Sequence, residues 1–220
     1  MKKDLTELVF ILDRSGSMHG LEKDTIGGYN SMLQKQKAEK GSVHVTTVLF
    51  DNNINILHDR MPINAVEPLT EKEYYVGGTT ALLDAVGTTI ERLNKIQNAL
   101  PEDERSEKVI FVITTDGFEN ASRKFNYPQL KKLIESQQTE LNWEFIFLGA
   151  NMDAVSEAGK IGISADRSAT FLNDSEGIAT NYSAVSKVVS HMRKAAMGTR
   201  VSGAWKAEIE EDFEKRGGKK

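Results

Sequence analysis

Two short apolar runs, Leu8-Val9-Phe10-Ile11-Leu12 and Val109-Ile110-Phe111-Val112-Ile113, constrain this chain more than any other feature. Each is continuous rather than alternating, is rich in β-branched and aromatic residues, and stops abruptly at polar residues and glycine. A strand covered on both faces reads this way, because neither direction of its side chains meets water. The first run delivers Asp13-Arg14-Ser15-Gly16-Ser17 to the loop that follows it, and the second delivers Thr115-Asp116-Gly117. Strand patterns then alternate with helical ones along the chain, which predicts an α/β fold with a mostly parallel sheet.

Helical spacing is expected from Gly20 to Glu39, with Ile26, Tyr29, Leu33 and Gln36 recurring on one side. The β-rich run from Val43 to Phe50, the turn signal Asp51-Asn52-Asn53 and the run Ile54–His58 predict a hairpin, hence one antiparallel edge strand. Residues 62–75 read as a loop with at most one short helix. From Thr80, Leu82, Val86, Ile90 and Leu93 predict a helix ending before Pro101. A helix over 128–137, a buried strand over 143–148, a short helix over 152–158 and a last short strand over Ser168–Phe171 follow. The final long helix is predicted from an N-cap at Asp174 to Met197. A domain over residues 1–200 with a charged tail over 201–220 is the expected organisation. Trp205, Ile209 and Phe213 form an apolar stripe on a tail helix that is expected to dock on the domain.

Open α/β sheets place their ligand sites at the carboxyl ends of the strands. One carboxylate and two hydroxyls at Asp13, Ser15 and Ser17 can there converge on a cation, and Gly16 lets the loop turn tightly. Gly77-Gly78-Thr79-Thr80, just before a helix, and Asp116, just after the second run, can close such a site. Asp-x-Ser-x-Ser, a Thr after a glycine-rich turn and an Asp in a strand-ending Thr-Asp-Gly occur in order. Together they resemble the metal-ion-dependent adhesion site (MIDAS) of the von Willebrand factor A (VWA) family, over residues 5–200. That resemblance implies a six-stranded doubly wound sheet with helices on both faces. It implies Asp13, Ser15, Ser17, Thr79 and Asp116 as metal ligands, with Thr80 the second reading for the threonine.

Hard oxygen donors suit Mg²⁺, with Mn²⁺ or Ca²⁺ able to substitute, and with His19 as the nearest histidine zinc is not expected. Two carboxylates at most neutralise a divalent ion, so an open position is expected to draw an acidic side chain from a protein partner. Asp84, Glu119 and Glu22 are expected at the rim, tuning affinity by their charge. The side chain of Arg14 is expected to leave the site. The predicted function is therefore a metal-dependent protein-binding module and not an enzyme. A Mg²⁺-dependent hydrolase or phosphotransferase at the same site is the alternative, against which stands the absence of Gly-x4-Gly-Lys-Ser/Thr and Gly-x-Ser-x-Gly patterns.

Composition narrows the partners further. The net charge is −4 with both signs mixed, so no basic stripe for nucleic acid is expected. There is no cysteine, which excludes a disulfide framework and a thiolate zinc site. No apolar run reaches the length of a signal peptide or a membrane span, and a cytoplasmic location without membrane contact is the expectation. The oligomeric state is not legible in the sequence.

Overall fold

The computed structural model describes residues 1–196, 198–199 and 201–216. Strand β1 (Lys2–Asp13) leads into helix α1 (Glu22–Ala38), then β2 (Ser42–Phe50) and β3 (Ile54–Pro62). Helix α2 (Leu82–Ala99), β4 (Ser106–Thr115), α3 (Tyr127–Leu141), β5 (Glu144–Ala150), α4 (Ala154–Lys160) and β6 (Ser168–Phe171) follow. Helices α5 (Ser175–Lys194) and α6 (Ala207–Lys215) are the last elements among the described residues. The six strands lie in the order β3-β2-β1-β4-β5-β6, with β3 antiparallel to β2 and all other pairs parallel.

The continuous apolar runs are explained by two cores. On β1, Leu8, Phe10 and Leu12 enter the core under α1 and α5, while Val9 and Ile11 enter the one under α2, α3 and α4. On β4, Ile110 and Val112 face the first core, and Val109, Phe111 and Ile113 face the second. Alternate side chains of a strand point to opposite faces, so only an unbroken apolar sequence satisfies both layers.

Local chemistry sets the helix ends. Asn126 and Gln129 form a reciprocal capping box at α3, and the Asp174 carboxylate caps α5 by accepting from Gly177 N at 2.8 Å. The end of α5 corrects the sequence expectation: the helix stops at Lys194, with Ala195 extended, and Met197 lies outside the described residues. The Lys108 ammonium from β4 takes the carbonyls of Arg193 and Ala195, giving the helix end a cation where its dipole favours one. Strand β3 runs four residues beyond the expected His58. Arg60, at φ 50°, forms a bulge opposite Thr46 that lets Met61 and Pro62 resume pairing with β2.

Residues 201–216 fold back on the sheet and its helices, and the rest of the expected tail lies outside the described residues. Ile209 and Phe213 of α6 are buried, Ile209 in the α1/α5 core, and Trp205 Nε1 donates to Asp166 O at 2.9 Å. Arg216 reaches Asp174 Oδ2 at 2.6 Å, so the last described residue is tied to the first turn of α5. No helix among the described residues is long and apolar enough to cross a membrane.

Candidate metal centre

The strand order reverses direction between β1 and β4, and the loops that leave the carboxyl ends of these two neighbours diverge to opposite sides. A crevice opens at such a switch point. Asp13 is the last residue of β1 and Asp116 the first after β4, so the topology alone brings the two carboxylates together.

Hydrogen bonds join them through the serines. Ser17 Oγ donates to Asp116 Oδ1 at 2.6 Å, and the Ser15 and Ser17 hydroxyls are 3.1 Å apart. Asp13 is 1% exposed; its Oδ1 accepts from Ser15 N at 2.7 Å and its Oδ2 from Thr115 Oγ1 at 2.6 Å. Beneath them, Tyr74 Oη donates to the Asp13 carbonyl at 2.5 Å. On the far side, Asn173 Nδ2 donates to Asp116 Oδ2 at 3.1 Å. Ser17 is open to solvent and Asp116 half-buried, so the cluster has a sealed floor and an open mouth.

The glycine-rich loop is laced over the first one. Gly16 N donates to Gly78 O, and Gly77 N to Arg14 O, at 3.2 and 2.9 Å. Gly78, at φ 78°, turns the chain so that Thr79 faces solvent and Thr80 faces inward, 3% exposed. A Cβ at Gly117 would stand 2.7 Å from Thr80 Oγ1 and 3.6 Å from Ser17 Oγ. Only a residue without a side chain lets the Asp116 loop approach Thr80 this closely.

No protein-family model matches the chain, and no curated protein matches it in sequence. Solved structures do match in shape. A von Willebrand factor type A protein from Catenulispora acidiphila aligns with a TM-score of 0.56 at 17% identity, over 89% of this chain and 43% of that one. The chain has the von Willebrand factor A fold. Proximal thread matrix protein 1 from the mussel byssus, with a zinc-occupied MIDAS motif, gives 0.57 at 15% identity over 84% of this chain and 46% of that one. Manganese-loaded TRAP protein from Plasmodium vivax gives 0.56 at 13%, over 83% and 74%. This chain spans less than half the length of the first two proteins.

Within this VWA fold, the structure brings Asp13, Ser15, Ser17 and Asp116 together and leaves Thr79 outside; the inward threonine is Thr80. The three acids expected at the rim each accept from backbone N–H groups. Glu119 accepts from Leu83 N in the first turn of α2 and from Ala121 N and Ser122 N in its own loop, at 2.9, 2.9 and 2.7 Å. Asp84 accepts from the backbone of Arg123, Lys124 and Phe125 at 2.8 to 2.9 Å. Glu22 accepts from Gly20 N at 2.9 Å and lies 3.3 Å from the exposed His19 ring. Arg14 does turn away from the centre, but into the protein: its Nε is 3.0 Å from Asp51 Oδ2 and its guanidinium lies over the Tyr75 ring at 4.6 Å.

Tyr74 and Asn173 are not singled out by the sequence, and Thr115 enters it only as the first residue of Thr-Asp-Gly, without a role at the site. Thr115 had a usable signal, since it follows the Leu12–Thr114 pair of β1 and β4 by one residue, as Asp13 does. Tyr74 and Asn173 had none.

The donor set fits a hard divalent cation. Burial pushes the Asp13 carboxyl up to about 6, the charge of Asp116 adds to this, and hydrogen bonds from Thr115 and Ser15 oppose it. Burial also raises Asp116, against hydrogen bonds from Ser17 and Asn173. Two carboxylates held together at the cost of their ionisation are a natural seat for positive charge. Cis ligands of an octahedral Mg²⁺ with bonds of about 2.1 Å lie roughly 3 Å apart, and the serine hydroxyls stand at 3.1 Å. No group of three or more His, Cys, Asp or Glu side chains poised for metal is found among the described residues.

Proposed function

We propose that this chain is a metal-dependent protein-binding module, in which Asp13, Ser15, Ser17, Thr80 and Asp116 hold a divalent cation, Mg²⁺ foremost, that receives a carboxylate from a protein partner. The observation that carries this reading is the hydrogen-bonded run Asp13–Ser15–Ser17–Asp116, sealed below and open above. A bound cation supplies Lewis acidity: two carboxylates balance its charge and three neutral hydroxyls add none, so it remains attractive to a further anion. The protein's part is to hold the hydroxyls in place and to exclude water from the Asp13 side.

The mouth favours a protein ligand. Tyr75 and Phe118, two of the few exposed large apolar side chains, stand on the loops that carry Thr80 and Asp116, at 59% and 61% exposure. Aromatic side chains beside an anion-binding centre suit an acidic residue with apolar neighbours. Phosphoryl chemistry would want a cationic group over the centre, and the one arginine inside the motifs is spent on Asp51 and Tyr75. The metal-bearing fold neighbours, one with zinc and one with manganese, support a divalent occupant.

Capture from host lysate tests the reading, using wild type and Asp13→Ala, each with Mg²⁺ and with EDTA. A protein retained only by wild type with Mg²⁺ is the expected result. Capture indifferent to both changes overturns it.

A further inference from the structure

Asp116 is gripped from two sides, and only one grip belongs to the sequence motif. Ser17 Oγ donates to Oδ1, and Asn173 Nδ2 donates to Oδ2 at 3.1 Å. Asn173 lies in the connection between β6 and α5, far from every motif, and reaches the centre only because the strand order places β6 and β5 beyond β4. An ionised carboxylate can only accept, so the nitrogen end of the amide must face Asp116 and its oxygen end must face elsewhere. That oxygen is buried and has no hydrogen-bond partner in the protein. Buried acceptors are nearly always paired.

The backbone that carries the amide is fixed in place. Asn173 N donates to Asn151 Oδ1 at 3.1 Å. Asn151 is itself held at φ 51°, with its N donating to Phe171 O at 2.9 Å. The next residue, Asp174, is fixed as the cap of α5. A non-glycine residue kept in the left-handed region by its surroundings is a mark of a position the fold over-determines.

We propose that Asn173 is a further member of the metal centre, a positioning residue whose amide N–H holds the outer oxygen of Asp116 and whose amide oxygen accepts from the hydration shell of the cation. It thereby orients a carboxylate and the water around the ion, without binding the ion itself. This rests on the metal-binding reading above.

Mn²⁺ is the probe, added to the full chain and followed by electron paramagnetic resonance of the free ion and by water-proton relaxation of the bound one. Asn173→Ala is expected to weaken Mn²⁺ about 10- to 100-fold, the usual cost of losing a partner behind a metal ligand. It should also change the relaxation enhancement per bound ion, while the melting temperature in EDTA stays at the wild-type value. Asn173→Asp, nearly isosteric but unable to donate to Asp116, should likewise release that carboxylate and change the relaxation enhancement per bound ion. It serves as the test by itself if the Ala variant does not fold, with the altered relaxation enhancement as its expected result and a wild-type enhancement as the overturning one. An Ala variant within threefold of wild type, or with unchanged relaxation, overturns the role of Asn173. If wild type binds no Mn²⁺, or Asp13→Ala binds it equally well, the metal centre itself is wrong and the role of Asn173 falls with it.

Discussion

Asp13 is asked to be ionised in a place that discourages ionisation. With its carboxyl pushed to about 6 by burial, protons compete with the cation in a range that buffers reach easily. Mg²⁺ affinity is expected to be level above pH 7 and to fall roughly tenfold per unit below pH 6, measured by calorimetry across that range. Without metal, the same group opposes folding: the native state binds its proton more tightly than the unfolded chain, whose value is the ordinary 3.8. Its contribution to stability therefore declines as pH climbs from about 4 towards 6, and Asp13→Asn should remove that slope. The threonines give a second prediction. Thr80→Ala should weaken metal binding by about tenfold, and Thr79→Ala should stay within about twofold. The reverse order would mean that the glycine-rich loop is turned the other way.

Among elements, the edge hairpin shows how a polar cluster can fix a register. Glu7 of β1 is fully buried, and its Oε1 accepts from Arg60 Nη2 and Nε at 2.7 and 2.8 Å and from Ser106 Oγ at 2.9 Å, with His44 Nδ1 at 3.3 Å. Burial alone would raise this carboxyl, but the hydrogen bonds from His44, Arg60 and Ser106 and the charge of Arg60 outweigh it and hold it below 4.5. Its support is complete above pH 4.5 and is lost as pH falls through the lowered folded value. Arg60→Ala, which strands the buried charge, should cost about 3 kcal/mol in urea unfolding at pH 7. These same elements show what a sequence can and cannot reveal. Strands β1 and β4 are plain because burial on both faces demands unbroken apolar runs. The extension of β3 to Pro62 is hidden in the sequence, since Asp59-Arg60 interrupts the strand pattern, Pro62 ends it, and the bulge that carries pairing on depends on Arg60 meeting Glu7 across the sheet. Four of the five expected ligands come together because strand ends carry them. Of the two adjacent threonines, Thr80 and not Thr79 turns inward, because a single left-handed glycine, Gly78, sets the chain there, and the sequence does not show that turn.

At the scale of the whole molecule, the tail and the metal centre meet at α5. Asp174 caps that helix and accepts from Arg216, while its neighbour Asn173 holds Asp116. Phe213, 5% exposed, anchors α6, and Phe213→Ala should lower stability by about 3 kcal/mol in urea unfolding. Cation binding should stabilise the entire fold, since a ligand at a hundred times its Kd adds about 2.7 kcal/mol when it binds only the native state. The most direct test is the shift in thermal midpoint on adding excess Mg²⁺, compared in wild type and Asp13→Ala. A rise of several degrees in wild type that EDTA reverses, and no rise in Asp13→Ala, is the predicted result. An equal shift in both proteins, or none in wild type, would contradict the metal centre on which the binding function depends.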